Sequence, residues 1–558
     1  MAHLTRTRHL FAFTSPRTIE KIIPEISLLS QAYGGKKWST QTQMSFYENL
    51  FASEFFEGES KAKNTSLAAR DRITRAPKAL GFVDLKPTIQ LTEVGKLLVS
   101  EKRSHEIITR QLLKFQLPSP YHTDKKNRFF VKPYLEFLRL VKAVGSLSKT
   151  ETALFFLQLT KIDKFDEIVS KITQFRTNKD KWKGNRKDFV KQCFHNEIAT
   201  IFAEEIANKN TGTRESPDAS FAKFLKTKKD NMGDYADAFI RYVRATQLIT
   251  FQSKTYRVII APSKIAEVDF ILQTIDRNPV LYKSEIEFKT YLFSTTNIQL
   301  FNDNRELLIS KLQKLNVEFD INLTLEELKD LLEISEENIK SQKIQETTLQ
   351  LKNYKEFDDI VEIFEKIHKK EVPDPSLYLE WNVWRAMTMI NDALAVNGNF
   401  TIDTDGIPLS NASGNKADIE IEYDDFKMIV EVTLSSGNTQ FNMEGESVPR
   451  HFGSMQNNSN KPVFCFFIAP KISAGALAHF FNLNRLNTKL YGGKTRIIPM
   501  SVSNFVNLMD TAKNSNFSDS KILYQYLISI INLNQEAEDE DVWFKSIQNS
   551  IINWTTQH

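Results

Sequence analysis

Two carboxylates in the last third of the chain have a spacing that a β-hairpin would bring side by side. Residues 418–423 alternate polar and apolar, residues 424–425 are both Asp, and residues 426–433 are mostly apolar. This pattern is typical of two antiparallel strands joined by a two-residue turn, and it places Asp418 opposite Glu431. Cross-strand Cβ atoms lie about 4.5–5.5 Å apart, where two carboxylates repel each other unless a cation lies between them. The hairpin therefore predicts a magnesium site. The alternative is an exposed strand edge, but the apolar run around Glu431 favours a buried, compensated carboxylate.

Two further acids support the same centre. Glu380 lies in the middle of an apolar face in residues 377–390, which have helical spacing. Glu444 follows Glu431 after a glycine-containing turn at residues 435–438. The next predicted elements are a buried strand, a helix and another strand, at residues 464–469, 474–486 and 496–500. This order of elements predicts an α/β nuclease-like core.

The rest of the chain must position this centre and bring it a substrate. The 558 residues are 41% apolar and 25% charged, which excludes a mainly disordered chain and predicts two to four domains. Residues 1–250 contain 43 Lys and Arg against 27 Asp and Glu, whereas residues 251–558 contain 30 against 42. A basic first half favours a nucleic-acid partner, because each phosphate contact needs a cation. A surface made basic for solubility is the alternative.

The basic half contains two patterns of helix, short strand pair and helix. In the first, residues 66–76 favour a helix, residues 82–85 and 89–91 favour strands, and Thr92 caps a second helix. Residues 236–260 repeat the pattern more loosely. This is the order of a winged helix-turn-helix, which can put a basic helix into the major groove, although winged helices also bind proteins. The candidate DNA contacts on these elements are Arg70, Arg72, Arg75, Lys78, Arg241 and Arg244.

Two lysine-rich clusters lie between these patterns. Residues 179–191 carry six cations around Trp182, and residues 223–229 carry four more. Such runs are often solvated surface, but their place in the basic half favours phosphate contact.

Residues 285–370 are amphipathic and contain no glycine, which indicates a helical connector. Prolines at 373 and 375 mark the start of the last domain. We expect a recognition region at 1–270, a helical linker at 271–370 and a cleavage domain at 371–558. Cys193 and Cys465 lie far apart, which favours a reducing compartment and a cytoplasmic, soluble protein. The longest apolar run is too short to span a bilayer. Nine scattered His and two Cys give no zinc-ligand spacing.

Asp418 followed by Glu431-Val432-Thr433 resembles the PD-(D/E)xK nuclease motif. A wider set of motifs is similar to the AlwI-type family of type IIS restriction endonucleases and site-specific nicking endonucleases. The matching stretches run in order along nearly the whole chain, at residues 13–17, 70–72, 115–119, 379–381, 415–418, 431–433, 440–444 and 450–451.

The resemblance implies a mixed α/β multidomain fold with an N-terminal recognition region of winged-helix type, a helical linker and a C-terminal α/β nuclease domain. It implies catalysis by Glu380, Asp418, Glu431 and Glu444, with Mg²⁺ held by Asp418, Glu431 and Glu444. Two of the matching stretches also contain Arg17 and Arg450, which we add to the candidate DNA contacts.

The chain departs from the general motif at two positions. Thr433 stands where the motif has lysine, and Ala417 stands where it has proline. The lysine would orient or activate the attacking water. Glu444, Arg450, His451 or a second metal ion are the alternatives for that role.

These observations predict a Mg²⁺-dependent endonuclease that binds a short asymmetric duplex DNA sequence and cuts at a displaced position. One alternative is the large subunit of a nicking enzyme, with a second copy or a small nuclease subunit as the partner for double-strand cutting. An alternative of another class is a winged-helix DNA-binding regulator with an inactive nuclease-like tail.

Overall fold

The computed structural model describes residues 2–53, 55–56, 61–213, 215–390, 392–411 and 416–555. The chain forms two compact units. Unit 1 contains Met1–Phe56 and Lys61–Glu337, and unit 2 contains Asn338–His558. The boundary lies inside one long helix, within the stretch that the sequence analysis assigned to a linker.

Unit 1 is mostly helical. Its helices are α1 (Ile22–Tyr33), α2 (Thr40–Phe51), α3 (Thr65–Ile73), α4 (Ala76–Ala79), α5 (Glu93–Val99), α6 (Ser104–Lys114), α7 (Pro133–Val144), α8 (Lys149–Leu154), α9 (Phe165–Lys181), α10 (Arg186–Ile201), α11 (Ala203–Ala207), α12 (Phe221–Arg244), α13 (Ile265–Thr274), α14 (Glu285–Phe293), α15 (Arg305–Lys314) and the first half of α16 (Leu325–Leu351). Its strands are β1 (Ala2–His3), β2 (Val83–Asp84), β3 (Gln90–Leu91), β4 (His122–Thr123), β5 (Ile249–Phe251) and β6 (Val258–Ile260). They form three separate two-stranded pairs: β1 with β4, β2 with β3, and β5 with β6.

The first predicted helix–hairpin–helix segment is present, with one change at its start. Thr92 caps α5 by accepting a hydrogen bond from the Gly95 N–H at 3.0 Å. A Cβ at Gly95 would lie 2.0 Å from the Phe82 carbonyl oxygen, so only glycine fits this close approach. The helix predicted over residues 66–76 ends earlier, at Ile73, and Pro77 lies in the first turn of α4, where proline is tolerated.

The predicted connector is not one continuous helix. Its residues form α14, α15, α16 and α17 (Phe357–His368), separated by irregular segments. Part of it packs as a core of its own around Leu308, Leu312, Leu328 and Leu332. Amphipathic periodicity therefore identified the helices but not the turns between them.

Unit 2 is built around a five-stranded mixed sheet. The remaining helices are α18 (Pro375–Met389), α19 (Gly437–Asn457), α20 (Ala474–Arg485), α21 (Val502–Asn514), α22 (Ser520–Glu536) and α23 (Glu540–Ser550). The strands are β7 (Ala395–Gly398), β8 (Phe400–Ile402), β9 (Pro408–Asn411), β10 (Ile419–Glu422), β11 (Lys427–Val432), β12 (Val463–Ala469) and β13 (Ile497–Ser501). The sheet order is β13-β12-β11-β10-β7, and β8 pairs with β9 outside it.

The middle of the sheet contains the predicted hairpin in the predicted register. Ile419 pairs with Val430 and Glu422 pairs with Lys427 across antiparallel strands. Strands β11, β12 and β13 are parallel. Strand β12 is buried along its whole length, because helices cover both of its faces, and the thiol of Cys465 lies in its centre. No helix among the described residues is long and apolar enough to cross a membrane.

Candidate active site

Asp418 and Glu431 meet at one end of the central hairpin. Asp418 directly precedes β10, and extending the register by one residue places it opposite Glu431 on β11. The Asp418 Oδ2 atom accepts a hydrogen bond from the Val432 N–H at 2.8 Å. The backbone of the neighbouring strand thus fixes the carboxylate beside Glu431, as the sequence predicts.

Helix α19 adds Glu444 and His451 to this centre. The two residues are seven positions apart, so they lie on the same face of the helix. The His451 Nδ1 atom lies 2.7 Å from Glu431 Oε1. The other ring nitrogen, Nε2, is buried and has no hydrogen-bond partner among the described residues.

Glu444 is held by hydroxyl groups. The Ser447 hydroxyl donates to Glu444 Oε2 at 3.3 Å, and the Thr433 hydroxyl also hydrogen bonds to this carboxylate. Thr433 Oγ1 lies 2.7 Å from the Ser435 hydroxyl. The residue at the position of the motif lysine therefore positions an acid.

Glu380 reaches the centre from α18. It is buried in the middle of that helix, with 5% of its surface exposed, and the Asn411 side-chain amide donates to its carboxylate. Asn411 ends β9, a strand that the sequence analysis did not predict.

Four carboxylates meet at this centre, and the positive charge near them among the described residues does not offset their negative charge. Burial, together with the charges of Asp418 and Asp374, raises the pKa of Glu380 well above its usual range. Burial and the Glu431 charge do the same to Asp418, and burial and the Glu444 charge do the same to Glu431. Burial also raises the pKa of Glu444. Burial and the Arg450 charge lower the pKa of His451, which keeps its ring neutral at pH 7.

The donor atoms suit a hard cation, but the described residues do not form a complete metal cage. Within the described ranges, no group of three or more His, Cys, Asp or Glu side chains is arranged to hold a metal ion. The structure thus does not show the expected three-carboxylate ligand set of Asp418, Glu431 and Glu444. It brings together Asp418 and Glu431, whose mutual repulsion a divalent cation would relieve. Mg²⁺ commonly takes only one or two protein carboxylates, with water and phosphate as its other ligands.

The candidate DNA contacts of unit 1 divide into interior and surface groups. The Arg72 guanidinium donates to the carboxylate of Glu25, which is 2% exposed. Arg244 is buried, and its Nη1 donates to the Ile249 carbonyl at 2.9 Å. Arg244 is therefore held inside unit 1, and the charge of Arg72 is paired with a buried carboxylate although 18% of its side chain is exposed.

The remaining arginines are at the surface, and most of them are paired. Arg17 contacts Asp234 at 2.8 Å, Arg241 contacts Asp237 at 3.0 Å, and Arg75 contacts Asp71 at 2.9 Å. In unit 2, Arg450 contacts Glu446 at 3.2 Å. Arg70, on the outer face of α3, is exposed.

Three of the predicted cations line a large cleft in unit 1. The cleft has a volume of about 740 Å³, and Arg70, Arg75 and Lys78 lie along it together with Arg8 and Lys228. The Lys78 ammonium lies 4.5 Å from the centre of the Tyr121 ring. Burial lowers the pKa of His9 and of His122, which also line the cleft, to about 4, so both rings are neutral at pH 7.

The sequence model of the AlwI restriction endonuclease family matches residues 78–508. The chain belongs to this family. The match covers most of unit 1 and the whole acidic centre of unit 2, so this AlwI-family chain is a nuclease whose substrate is DNA.

Three solved structures are similar to the AlwI-family chain at low TM-score. The small subunit R.BspD6I2 of the heterodimeric restriction endonuclease R.BspD6I is 24% identical, with a TM-score of 0.29, over 35% of this chain and 98% of its own. The BpuJ1 endonuclease binding domain, in complex with modified DNA, is 14% identical, with a TM-score of 0.27, over 46% and 81%. Restriction endonuclease FokI is 11% identical, with a TM-score of 0.24, over 92% and 98%. We draw no conclusion about this chain from similarities at these TM-scores. No curated protein matches the chain.

Sequence reasoning missed several residues of the AlwI-family site. Asn411 lies in the unpredicted strand β9, and Ser447 gives no signal before α19 is known to be helical. The cleft residues Arg8 and Tyr121 come from distant parts of the chain, whereas Lys228 belongs to the predicted lysine-rich cluster of residues 223–229. Asn415, in one of the matching stretches, lies outside the described residues.

Proposed function

We propose that this AlwI-family chain is a type IIS restriction endonuclease. It binds a short asymmetric duplex sequence through the recognition region, residues 1–270, and hydrolyses a phosphodiester at a displaced position through the cleavage domain, residues 371–558. The observation that carries this proposal is the assembly of Glu380, Asp418, Glu431 and Glu444 beside a neutral histidine. The basic cleft belongs to the other compact unit, which supports separate recognition and cleavage.

Asp418 and Glu431 would hold the divalent cation, Mg²⁺, as in PD-(D/E)xK nucleases. Their oxygens match its ligand preference, and the raised pKa values of both groups reflect a charge that a cation would offset. When bound, the ion supplies an acidified water and stabilises the charge that develops on the phosphate. Glu444, oriented by the Thr433 hydroxyl, lies beside the pair and could serve as a ligand through water.

His451 takes the role that lysine has in the general motif. With Glu431 ionised, the Nδ1–H donates to the carboxylate, so the lone pair is on the buried Nε2. A neutral imidazole nitrogen without a partner can accept a proton from the attacking water. Glu380 is oriented by Asn411 and completes the acidic wall of the site.

The recognition region reads DNA through its two helix–hairpin–helix segments, which we interpret as winged helices. The paired strands β2–β3 and β5–β6 supply the wings. In the first segment, the exposed Arg70 on α3 lines the cleft, whereas Arg72 on the same helix is paired with the buried Glu25. We therefore assign DNA contact to Arg70 and a structural role to Arg72.

Digestion of supercoiled plasmid with Mg²⁺, followed by run-off sequencing of both strands, tests the proposal. We expect cuts at a fixed distance from one short sequence. Specific binding without any cut would favour a non-catalytic DNA-binding regulator. Cuts without a common sequence would contradict the type IIS assignment.

A site-specific nicking endonuclease is the second candidate. The described part of the five-stranded sheet carries one acidic centre, so one chain hydrolyses one phosphodiester at a time. Cutting both strands then requires a second copy or a small nuclease subunit. Run-off sequencing that shows a break in only one strand would establish the nicking assignment.

A further inference from the structure

The tip of the α9–α10 hairpin is an unusually exposed group of cations. Between the end of α9 and the second turn of α10 lie Lys179, Lys181, Lys183, Arg186, Lys187 and Lys191. All are exposed except the half-buried Lys179, and none forms an ion pair with a described residue. The same stretch contains two acids, Asp180 and Asp188, so its net charge is +4.

Many other cations of unit 1 are already paired with carboxylates. Arg8 pairs with Glu204 and Glu205, and Arg176 and Arg257 both pair with Glu151. Phosphate binding to such a cation must compete with a carboxylate, whereas a cation that has only water and counterions around it releases counterions at once. The hairpin tip is therefore the part of unit 1 that is best prepared to bind a polyanion.

The residues of the tip also pack against one another. Trp182 packs on Phe189 with ring centres 5.4 Å apart, and its Nε1–H donates to the Asn185 carbonyl at 3.2 Å. A Cβ at Gly184 would lie 2.8 Å from the Trp182 indole nitrogen, so the loop closes tightly over the ring. A loop that is already ordered loses little conformational entropy when it binds.

The basic surface continues from the tip toward the cleft. The ammonium of Lys229 on α12 lies 5.7 Å from the Phe194 ring of α10. Further along, Lys228, which lines the cleft, lies 4.6 Å from the Phe202 ring at the end of α10. The 16 residues of α10 span about 24 Å at 1.5 Å per residue. A duplex lying along α10 would therefore span roughly seven base pairs between the tip and the cleft.

We propose that the α9–α10 hairpin tip is a second DNA contact that grips the phosphate backbone without reading sequence, about seven base pairs from the cleft. This inference rests on the proposed function, because it assumes that duplex DNA is the ligand of unit 1. The contact adds affinity equally for cognate and non-cognate duplexes, since phosphates carry no sequence information.

The test compares two full-length variants that each lose four positive charges. The hairpin variant is K181Q/K183Q/R186Q/K187Q. The control variant is K61Q/K102Q/K142Q/K149Q, whose lysines are about half exposed and are already paired with carboxylates. Binding to a labelled mixed-sequence duplex of about three helical turns is measured by fluorescence anisotropy in EDTA over a series of KCl concentrations.

The hairpin variant should bind at least ~10-fold more weakly at moderate salt. The slope of its plot of log K against log[KCl], which is negative, should become shallower by about 3–4. The control should stay close to the wild type. Equal losses in both variants, or a hairpin variant with the wild-type slope, would overturn the inference. A wild-type protein that does not bind this mixed-sequence duplex would also overturn the inference, whereas a plasmid digestion without site-specific cuts would overturn the proposed function itself. If the quadruple variant does not fold, K183Q/K187Q should show about half of the slope change, and an unchanged slope there would equally overturn the inference.

Discussion

The Nδ1 atom of His451 lies 2.7 Å from the Oε1 atom of Glu431, joining a helix to the central strand of the sheet. The contact fixes the orientation of the imidazole ring, and Nε2 is buried without a hydrogen-bond partner among the described residues. Under the proposed function, this imidazole takes the role of the motif lysine, whose position Thr433 occupies.

His451→Gln should reduce the cleavage rate by about 10²–10³-fold, because a general base is lost while the acids stay in place. The wild-type rate should fall as the pH is lowered, since protonation removes the Nε2 lone pair, and the fall should begin at a lower pH than for a free imidazole because burial lowers the pKa of His451. The residual activity of the variant should lack this dependence. His479→Gln is the matched control, because His479 contacts the Gly445 carbonyl of the same helix outside the site. A His451 variant with the wild-type rate and pH profile would contradict the assignment.

Asp418→Asn should stabilise the metal-free protein at pH 7–8. The folded-state pKa of Asp418 is raised, so its ionisation costs folding free energy above the unfolded-state pKa of about 3.9. Asn removes that cost and keeps an oxygen for the Val432 N–H. We expect Tm to rise by about 2–4 °C, the shift for about 1 kcal/mol in a domain of this size. The gain should shrink at pH 5 and vanish below both pKa values, whereas a gain that is constant with pH would contradict the electrostatic explanation.

Millimolar Mg²⁺ should raise the Tm of the wild type and not that of Asp418→Asn or Glu431→Gln. A ligand that binds only the folded state stabilises it in proportion to the logarithm of its concentration. Glu422→Gln is the control, because Glu422 lies at the other end of β10 and pairs with Lys461. Both site variants should lose cleavage and keep specific binding. Mg²⁺ stabilisation that survives in both would place the metal elsewhere.

Arg70→Ala and Arg72→Ala should have different effects, one on DNA binding and the other on stability, although the residues are only two positions apart. Arg70→Ala should weaken DNA binding without changing Tm. Arg72→Ala removes the guanidinium that pairs with the buried Glu25 carboxylate and should lower the stability of unit 1 by about 1.5–3 kcal/mol, the contribution of a hydrogen bond to a charged group. Thermal unfolding and anisotropy measure the two effects on the same samples, and loss of stability in both variants would refute the distinction.

Double-strand cutting should rise faster than linearly with enzyme concentration and should pass through a nicked circle. The described residues of one chain form a single acidic centre, so cutting the second strand needs another centre, and an asymmetric site orients only one copy. Plasmid digestion over a range of enzyme concentrations measures both features. First-order linearisation without a nicked product, with enzyme well below DNA, would be inconsistent with one centre per chain.

The local features of the fold could be predicted from sequence, because they depend on neighbouring residues. The Asp424-Asp425 turn set the β10–β11 register, and Thr92 identified the start of α5. The role of Arg72 could not be predicted, since its partner Glu25 is 47 positions away. The same limit applies to His451, whose contact with Glu431 depends on the packing of α19 against the sheet. Hairpin β8–β9 was missed because its strands are only three and four residues long.

The two cysteines differ in a way that makes the hairpin observable. Cys465 is fully buried in β12, whereas Cys193 on α10 is half-buried and lines a cavity of about 520 Å³ beside Trp182. Burial and the nearby Glu197 charge raise the pKa of the Cys193 thiol, so it reacts slowly at neutral pH and faster in mild alkali. A maleimide dye would therefore attach to the native chain at one position, about two helical turns from Arg186. The unmodified protein thus offers a fluorescent reporter of the hairpin without any introduced cysteine.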